Sequence, residues 1–230
     1  MTFHGKQYKA AAAKVDRETL YTIEGAIRFL KDNPTAKFDA TAEIAFRLGV
    51  DPTKSDQAVR GTVTLPHGSG KVVRVLVFAN GPAADAAREA GAEFVGFEDM
   101  LEKVKGGFTD FDVAVATPDA MKEVRKLGKV LGPRGLMPNP KTGTVSDDTA
   151  AAVKACKAGR VEFRMDRHGN VMVPFGKFSF EIDALVENCK SIIGALNHAR
   201  PTVAKGLFIK RGTITSTMGP GLRLDSREMS

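Results

Sequence analysis

The sequence has no tryptophan, only two tyrosines (Tyr8 and Tyr21), two cysteines and four histidines in 230 residues. So few large polar rings argue against a broad stacking platform of the kind that holds single-stranded nucleic acid. Cys156 and Cys189 form no CxxC pair, and His4, His67, His168 and His198 are too scattered to give a zinc spacing. Two free, partly buried thiols and no metal are expected. No apolar run approaches the roughly 20 residues of a membrane span, and the N-terminus lacks a signal-peptide core. The expected compartment is the cytoplasm.

What is present is positive charge. Thirty-four Lys and Arg oppose 27 Asp and Glu, a formal net charge of +7. Such a surplus favours anionic partners, nucleic acid among them, without naming one. Hydrophobic residues make up 43%, enough for one large core or two modest ones at this length.

Periodicity divides the chain into a flank, a centre and a flank. In the first flank, KAAAAKV (9–15) has high helix propensity, and Ile23, Ala26, Ile27 and Leu30 recur on one helical face. ATAEIAFRLGV (40–50) alternates as a half-buried strand, and VRGTVTL (59–65) reads as another strand. The centre alternates strand and helix. VVRVLVFA (72–79) is a β-branched run buried on both faces, PAADAAREAGA (82–92) a helix, EFVG and EDMLEKVK strand and helix, and DVAVA (112–116) a strand. A helix with Pro118 and Asp119 in its first turn follows, and Asp147 or Ser146 is expected to cap another running to Gly159. In the last flank, RVEFRM (160–165) and VMVPFG (171–176), separated by DRHGN, read as a hairpin. FEIDALVENCKSIIGALNHA (180–199) is an amphipathic helix, and GLFIKRGTITST and LRLD form a closing strand pair. Neither flank alone supplies a comfortable core. The expected fold therefore has two domains of α/β and α+β class: residues 1–67 and 160–230 together, with 68–159 inserted.

LPHGSGK (65–71) looks like half of a phosphate loop. A nucleotide-binding loop needs G-x-x-x-x-G-K-[ST] opening into a helix. Here Leu65 stands for the first glycine, Val72 for the hydroxyl residue, and a strand former follows. No helix N-terminus would face a nucleotide. A flexible connection with Lys71 in water, or a phosphate contact on a polymer, stays open. The pairs Asp147/Asp148 and Asp110/Asp112 come with no acid, base and nucleophile set, so neither catalysis nor a cofactor is expected.

Basic charge gathers in Lys122, Arg125, Lys126, Lys129, Arg134 and Lys141, around the glycine- and proline-rich GPRGLMPNPKTG (132–143). A solvated run and a nucleic-acid phosphate contact both account for it. In KRGTITSTMGPG (210–221), Thr213, Thr215 and Thr217 alternate with Ile214, Ser216 and Met218. That spacing gives either an ordinary outer strand face or a hydroxyl row beside Lys210 or Arg211. Hydroxyls can meet phosphate or the 2′-OH of RNA. ATAEIAF could set Thr41 and Glu43 on the same side, a combination leaning toward structured RNA.

KFDATAEIAFRLGVDPTKSDQAVRGTVTLPHGSGK (37–71), KLGKVLGPRGLMPNPKTGTV (126–145), AGRVEF (158–163) and STMGPG (216–221) closely resemble the bacterial-type large-subunit ribosomal protein L-one family. The resemblance extends over essentially the full chain. It implies a discontinuous α+β domain from both chain ends, an inserted Rossmann-like α/β domain that binds no nucleotide, and no enzymatic activity. It further implies a 23S rRNA site on the mobile stalk of the large ribosomal subunit, formed by Lys37, Phe38, Thr41, Glu43, Thr215, Ser216, Thr217, Met218 and Gly219. Ser216 stands where relatives often have Thr. Lys54, Arg164 and Arg167 are expected as assisting phosphate contacts. Lys129, Arg134 and Lys141 are expected as a secondary contact to rRNA or exit-site tRNA. Release of deacylated tRNA, repression through the chain's own operon mRNA, and a monomeric free state are implied as well. The alternatives are a non-ribosomal RNA-binding regulator and, of another class, a nucleotide-using α/β enzyme.

Overall fold

The computed structural model describes residues 5–229, with the side chains of Ser55 and Lys141 outside the described set. Along the chain run α1 (Lys6–Ala13), α2 (Ile23–Asp32), β1 (Thr41–Leu48), β2 (Arg60–Thr64) and β3 (Val75–Phe78). Next come α3 (Pro82–Glu89), β4 (Phe94–Gly96), α4 (Glu98–Lys105), β5 (Val113–Ala116), α5 (Met121–Val124), α6 (Gly128–Leu131) and α7 (Thr149–Lys157). The last elements are β6 (Arg160–Arg164), β7 (Asn170–Lys177), α8 (Ile182–His198), β8 (Ile209–Ser216) and β9 (Leu222–Arg223).

The chain forms two compact units, one being Lys71–Arg160 and the other built from the chain on either side. The crossings thus fall at 70/71 and 160/161 rather than at the expected 67/68 and 159/160. The cause of the first displacement is Asn188, a buried side chain of α8. Its Oδ1 accepts from the His67 N–H at 3.1 Å and its amide donates to the Gly68 carbonyl at 3.0 Å. These bonds hold the start of the connection on the discontinuous unit.

That unit is organised by a four-stranded sheet of order β7-β1-β8-β9, with neighbours antiparallel. Alternation in β1 sends Ala42, Ile44, Phe46 and Leu48 inward, each at most 2% exposed. They meet Val171, Val173 and Phe175 of β7, Ile214 of β8, and the apolar faces of α2 and α8. Thr22 caps α2 by accepting the Gly25 N–H. Burying one such aliphatic or aromatic side chain contributes about 1.5–3 kcal/mol, so both helices are committed to the same inner face.

The expected hairpin of RVEFRM and VMVPFG is corrected. β6 pairs with β2 in a separate two-stranded sheet, and β7 pairs with β1. The intervening turn does close locally, through the Asp166 N–H to the Asn170 carbonyl and the Asp166 carboxylate on the N–H groups of His168 and Asn170. These bonds hold the Asp166 carboxyl below its ordinary value, with Asn170 the leading cause. The strands then part because Phe163, 2% exposed, packs against Gly61 of β2.

In the inserted unit the parallel sheet has order β4-β3-β5. Leu76 and Phe78 of β3 join the cluster around α4, α5 and α6, while Val75 and Val77 face α3 and α7. Burial on both faces is what a continuous apolar run requires. The strand is shorter than 72–79, however, and Val72 is 86% exposed. Lys71 and Arg74 fix this entry by ion pairs to Asp112, and Arg74 also to Asp110. The segment after Pro118 breaks into short turns, and its first α-helical residue is Met121. Asp148, rather than Asp147 or Ser146, caps α7 through the Ala151 N–H.

Candidate nucleic-acid interface

The side of the four-stranded sheet opposite the core carries the outward residues of three strands in register. Thr41 lies beside Lys177, Glu43 between Pro174 and Thr215, and Ala45 between Met172 and Thr213. Arg47 lies between Asn170 and Arg211, and Thr213 also faces Arg223. α2 and α8 pack on the inner face, which leaves Glu43, Arg47, Met172, Arg211 and Arg223 exposed.

At one end of β1 and β8, three threonines have different tasks. Thr217 Oγ1 accepts the Thr41 N–H at 3.0 Å, and the Thr217 N–H donates to the Thr41 carbonyl at 3.1 Å. Thr215 Oγ1 donates to the carbonyls of Ser216 and Gly219 at 3.2 and 3.3 Å. These two hydroxyls brace the loop after β8 instead of standing free in a row. The Thr41 hydroxyl accepts from Lys177 Nζ at 2.9 Å, and its own proton has no acceptor among the described residues.

The loop they brace is a tight turn closed by the Gly219 N–H on the Ser216 carbonyl at 2.8 Å. Met218 occupies its third position with φ of 66°, a left-handed conformation that costs a residue with a side chain roughly 1–2 kcal/mol. Its side chain is 71% exposed, and its own N–H and carbonyl have no partner among the described residues. Gly219 permits this shape, since a Cβ there would collide with Ser216 Oγ.

Ser216, expected among the contact residues, differs from its neighbours. It is 7% exposed and points to the inner side, where it lines a small cavity with Phe38. Lys37 and Phe38 are exposed in the loop before β1, beside Asp39, whose carboxylate accepts from the N–H and hydroxyl of Ser179.

Lys54 and Arg167 are exposed, but at the other end of the sheet, roughly 23 Å along β1 from Thr41. There the Leu48 N–H bonds to the Gly169 carbonyl, next to the turn that carries Arg167. Arg164 is on β6 and so belongs to the two-stranded sheet. In the inserted unit Lys129 and Arg134 are exposed, with the Arg134 guanidinium bonded to the Thr109 hydroxyl. Lys141 has its side chain outside the described residues.

Residues that sequence reasoning missed are Met172, Pro174, Arg47 and Arg223, with Lys177 as the partner of Thr41. The alternation of VMVPFG, with Met172 and Pro174 opposite in phase to Val171, Val173 and Phe175, held the signal for the first two.

Arg47, Arg211 and Arg223 make no ion pair among the described residues. An open sheet face with uncompensated arginines, one carboxylate, one free hydroxyl proton and unpaired loop backbone is equipped for a polyanion with internal structure. No group of three or more His, Cys, Asp or Glu among the described residues is placed to hold a metal ion. No described helix is long and apolar enough to cross a membrane. The class so defined is a nucleic-acid-binding protein.

Comparison with known families specifies it further. The family model of the Ribosomal protein L1p/L10e family matches residues 30–220, and the chain belongs to that family. Its general role is therefore that of a ribosomal RNA-binding protein, structural and not catalytic.

Proposed function

We propose that the outer face of the four-stranded sheet is the principal RNA site and that it holds a folded segment of large-subunit rRNA in the mobile stalk. The carrying observation is the convergence of the Thr41 hydroxyl, the Glu43 carboxylate and the unpaired backbone of Met218 on one braced edge, with the Arg47–Arg211 pair further along the same face. Arginines supply attraction that any polyanion feels. Glu43 repels phosphate and accepts from a base amino group or a 2′-OH, and Thr41 donates to either, so these groups select among RNA surfaces. Phe38, Met172 and Met218 add apolar contact.

On this reading Lys37, Phe38, Thr41, Glu43 and Thr217–Gly219 form the specific end of the interface. Lys54 and Arg167 meet phosphate at the distant end, and Lys129, Arg134 and Lys141 give the inserted unit a secondary contact to stalk rRNA or departing tRNA. The work done is mechanical: an anchored protein travels with the stalk as deacylated tRNA leaves the exit site. A similar RNA fold in the chain's own operon mRNA would be held by the same face, repressing translation.

Equilibrium binding to a stalk rRNA fragment, beside a scrambled RNA of equal length, tests the proposal. A preference of tenfold or more, lost in Glu43→Gln with Thr41→Val, is expected. Equal affinities for the two RNAs in the parent protein would remove the specific site.

A further inference from the structure

The outer face adjoins a cavity of about 240 Å³, and this deepens the proposed RNA reading, on which it rests. The walls come from the end of α2, the loop before β1, and the segment after β7: Leu30, Pro34, Ala36, Phe38 and Phe178 are its apolar lining. Ser216 closes it from the strand that leads directly into the Met218 turn. At this volume it is smaller than the roughly 300–1,000 Å³ of a site for a drug-sized ligand. A single planar ring system is the natural scale of its occupant.

Two features indicate what kind of ring. Phe38 stands at the cavity with 59% of its surface exposed, an aromatic face left in water beside a surface otherwise rich in charge. Lys31, also lining the cavity, donates one proton to the Phe180 carbonyl at 2.5 Å. An ammonium carries three donors, so two remain for acceptors brought by a ligand. The carboxylate in this lining, Asp39, takes one bond from Ser179 on each oxygen and keeps lone pairs for a further donor. The cavity therefore offers an aromatic wall, a cationic donor and, in Asp39, an acceptor for an amino group. A nucleobase matches that set: a π face for stacking and in-plane carbonyl or ring-nitrogen acceptors for the ammonium. Unpaired bases splayed from a folded RNA are bound in this manner, stacked on aromatic side chains and read at their edges.

We infer that this cavity receives one unpaired nucleobase of the RNA held on the adjoining sheet face, stacked on Phe38 with Lys31 donating to its edge. The Met218 turn and the cavity then act on neighbouring nucleotides, because Ser216 belongs to both. A protein side chain could also fill an apolar recess, but the spare ammonium donors and the continuity with the RNA face favour the base.

The test is a coupling experiment with the full chain and the stalk rRNA fragment. Each unpaired nucleotide of the fragment is replaced in turn by an abasic one, and affinity is measured for the parent, for Phe38→Leu and for the cavity-filling Ala36→Leu. With the parent, one position should cost roughly tenfold or more on losing its base, the scale of one base–aromatic stack. With either variant the same replacement should cost less than about twofold, while the other positions keep their parent costs. Phe38→Leu changes an exposed side chain and so keeps the fold if Ala36→Leu does not. If every abasic position costs the variants as much as it costs the parent, while all still prefer the fragment to scrambled RNA, the base pocket is wrong and the sheet-face site stands. If the parent shows no such preference, both fall together.

Discussion

Arg47 and Arg211 face one another directly across the β1–β8 ladder, both exposed and without a carboxylate partner among the described residues. Directly opposed Cα atoms in an antiparallel pair are about 4.5–5.5 Å apart, and like charges so placed oppose folding. Asn170 takes one bond from Arg47 at 3.3 Å, which relieves hydrogen-bonding need but not charge. Replacing either arginine by Ala should raise thermal stability by a few tenths of a kcal/mol, while RNA affinity falls and the salt slope of binding decreases by roughly one. Melting curves and a salt titration read the two effects separately. A variant that loses stability and keeps its salt slope would show the pair to be structural.

Thr217 is predicted to act through Thr41. Valine at 217 keeps the shape but leaves the Thr41 N–H without its acceptor, at a cost of about 1–3 kcal/mol if that group stays buried. Amide hydrogen exchange at Thr41 should accelerate, with RNA affinity falling by a comparable amount. Unchanged exchange at Thr41 alongside weakened binding would mean instead that the hydroxyl meets RNA directly.

Met218 separates backbone strain from side-chain contact. Met218→Gly relieves the left-handed cost and should stabilise the free protein by roughly 0.5–1 kcal/mol net of glycine's entropy, yet it removes apolar contact from the interface and should weaken RNA binding. Met218→Ala keeps the strain, loses the same contact and should gain no stability. Denaturant titrations of both variants check the sign.

The inserted unit has its own pH signature. Lys71, first, with the N–H and guanidinium of Arg74, holds the Asp112 carboxyl down at about 2 from an ordinary 3.8, against the opposing effect of partial burial. A lowered folded-state value stabilises only the ionised form. The contribution is therefore complete above about pH 4 and vanishes as pH falls through 2, amounting to no more than about 2.5 kcal/mol. Urea midpoints measured from pH 5 to pH 2 should show this loss in the parent and not in Asp112→Asn. Parallel pH profiles would assign the acid sensitivity elsewhere.

Much of the fold was legible because strands with one wet face write their orientation into every second residue. Ala42, Ile44 and Phe46 against Thr41, Glu43 and Arg47 predicted both β1 and the side on which a partner could lie. The same parity places Ser216 with Ile214 on the inside. What failed was long-range pairing. DRHGN carries sound local turn chemistry and closes a real turn, but whether the flanking strands stay together is decided by Phe163 against Gly61, a hundred residues away in sequence. The bracing of Thr41 by Thr217 was illegible for the same reason, since hydroxyls spent inside a loop and hydroxyls offered to solvent look alike in a string of letters.

The long reach of that bracing bears on how the protein is made. Thr41 and Thr217 are 176 residues apart, an interval a translating ribosome covers in roughly 10–35 s. Within that interval the contiguous Lys71–Arg160 unit has all its strands once residue 116 is made, whereas β1 has no partner until β7 is complete at Lys177 and gains β8 only at the end. A nascent strand left bare for so long is an aggregation hazard, and the charges of Glu43 and Arg47 on the proposed RNA face are well placed to guard it first.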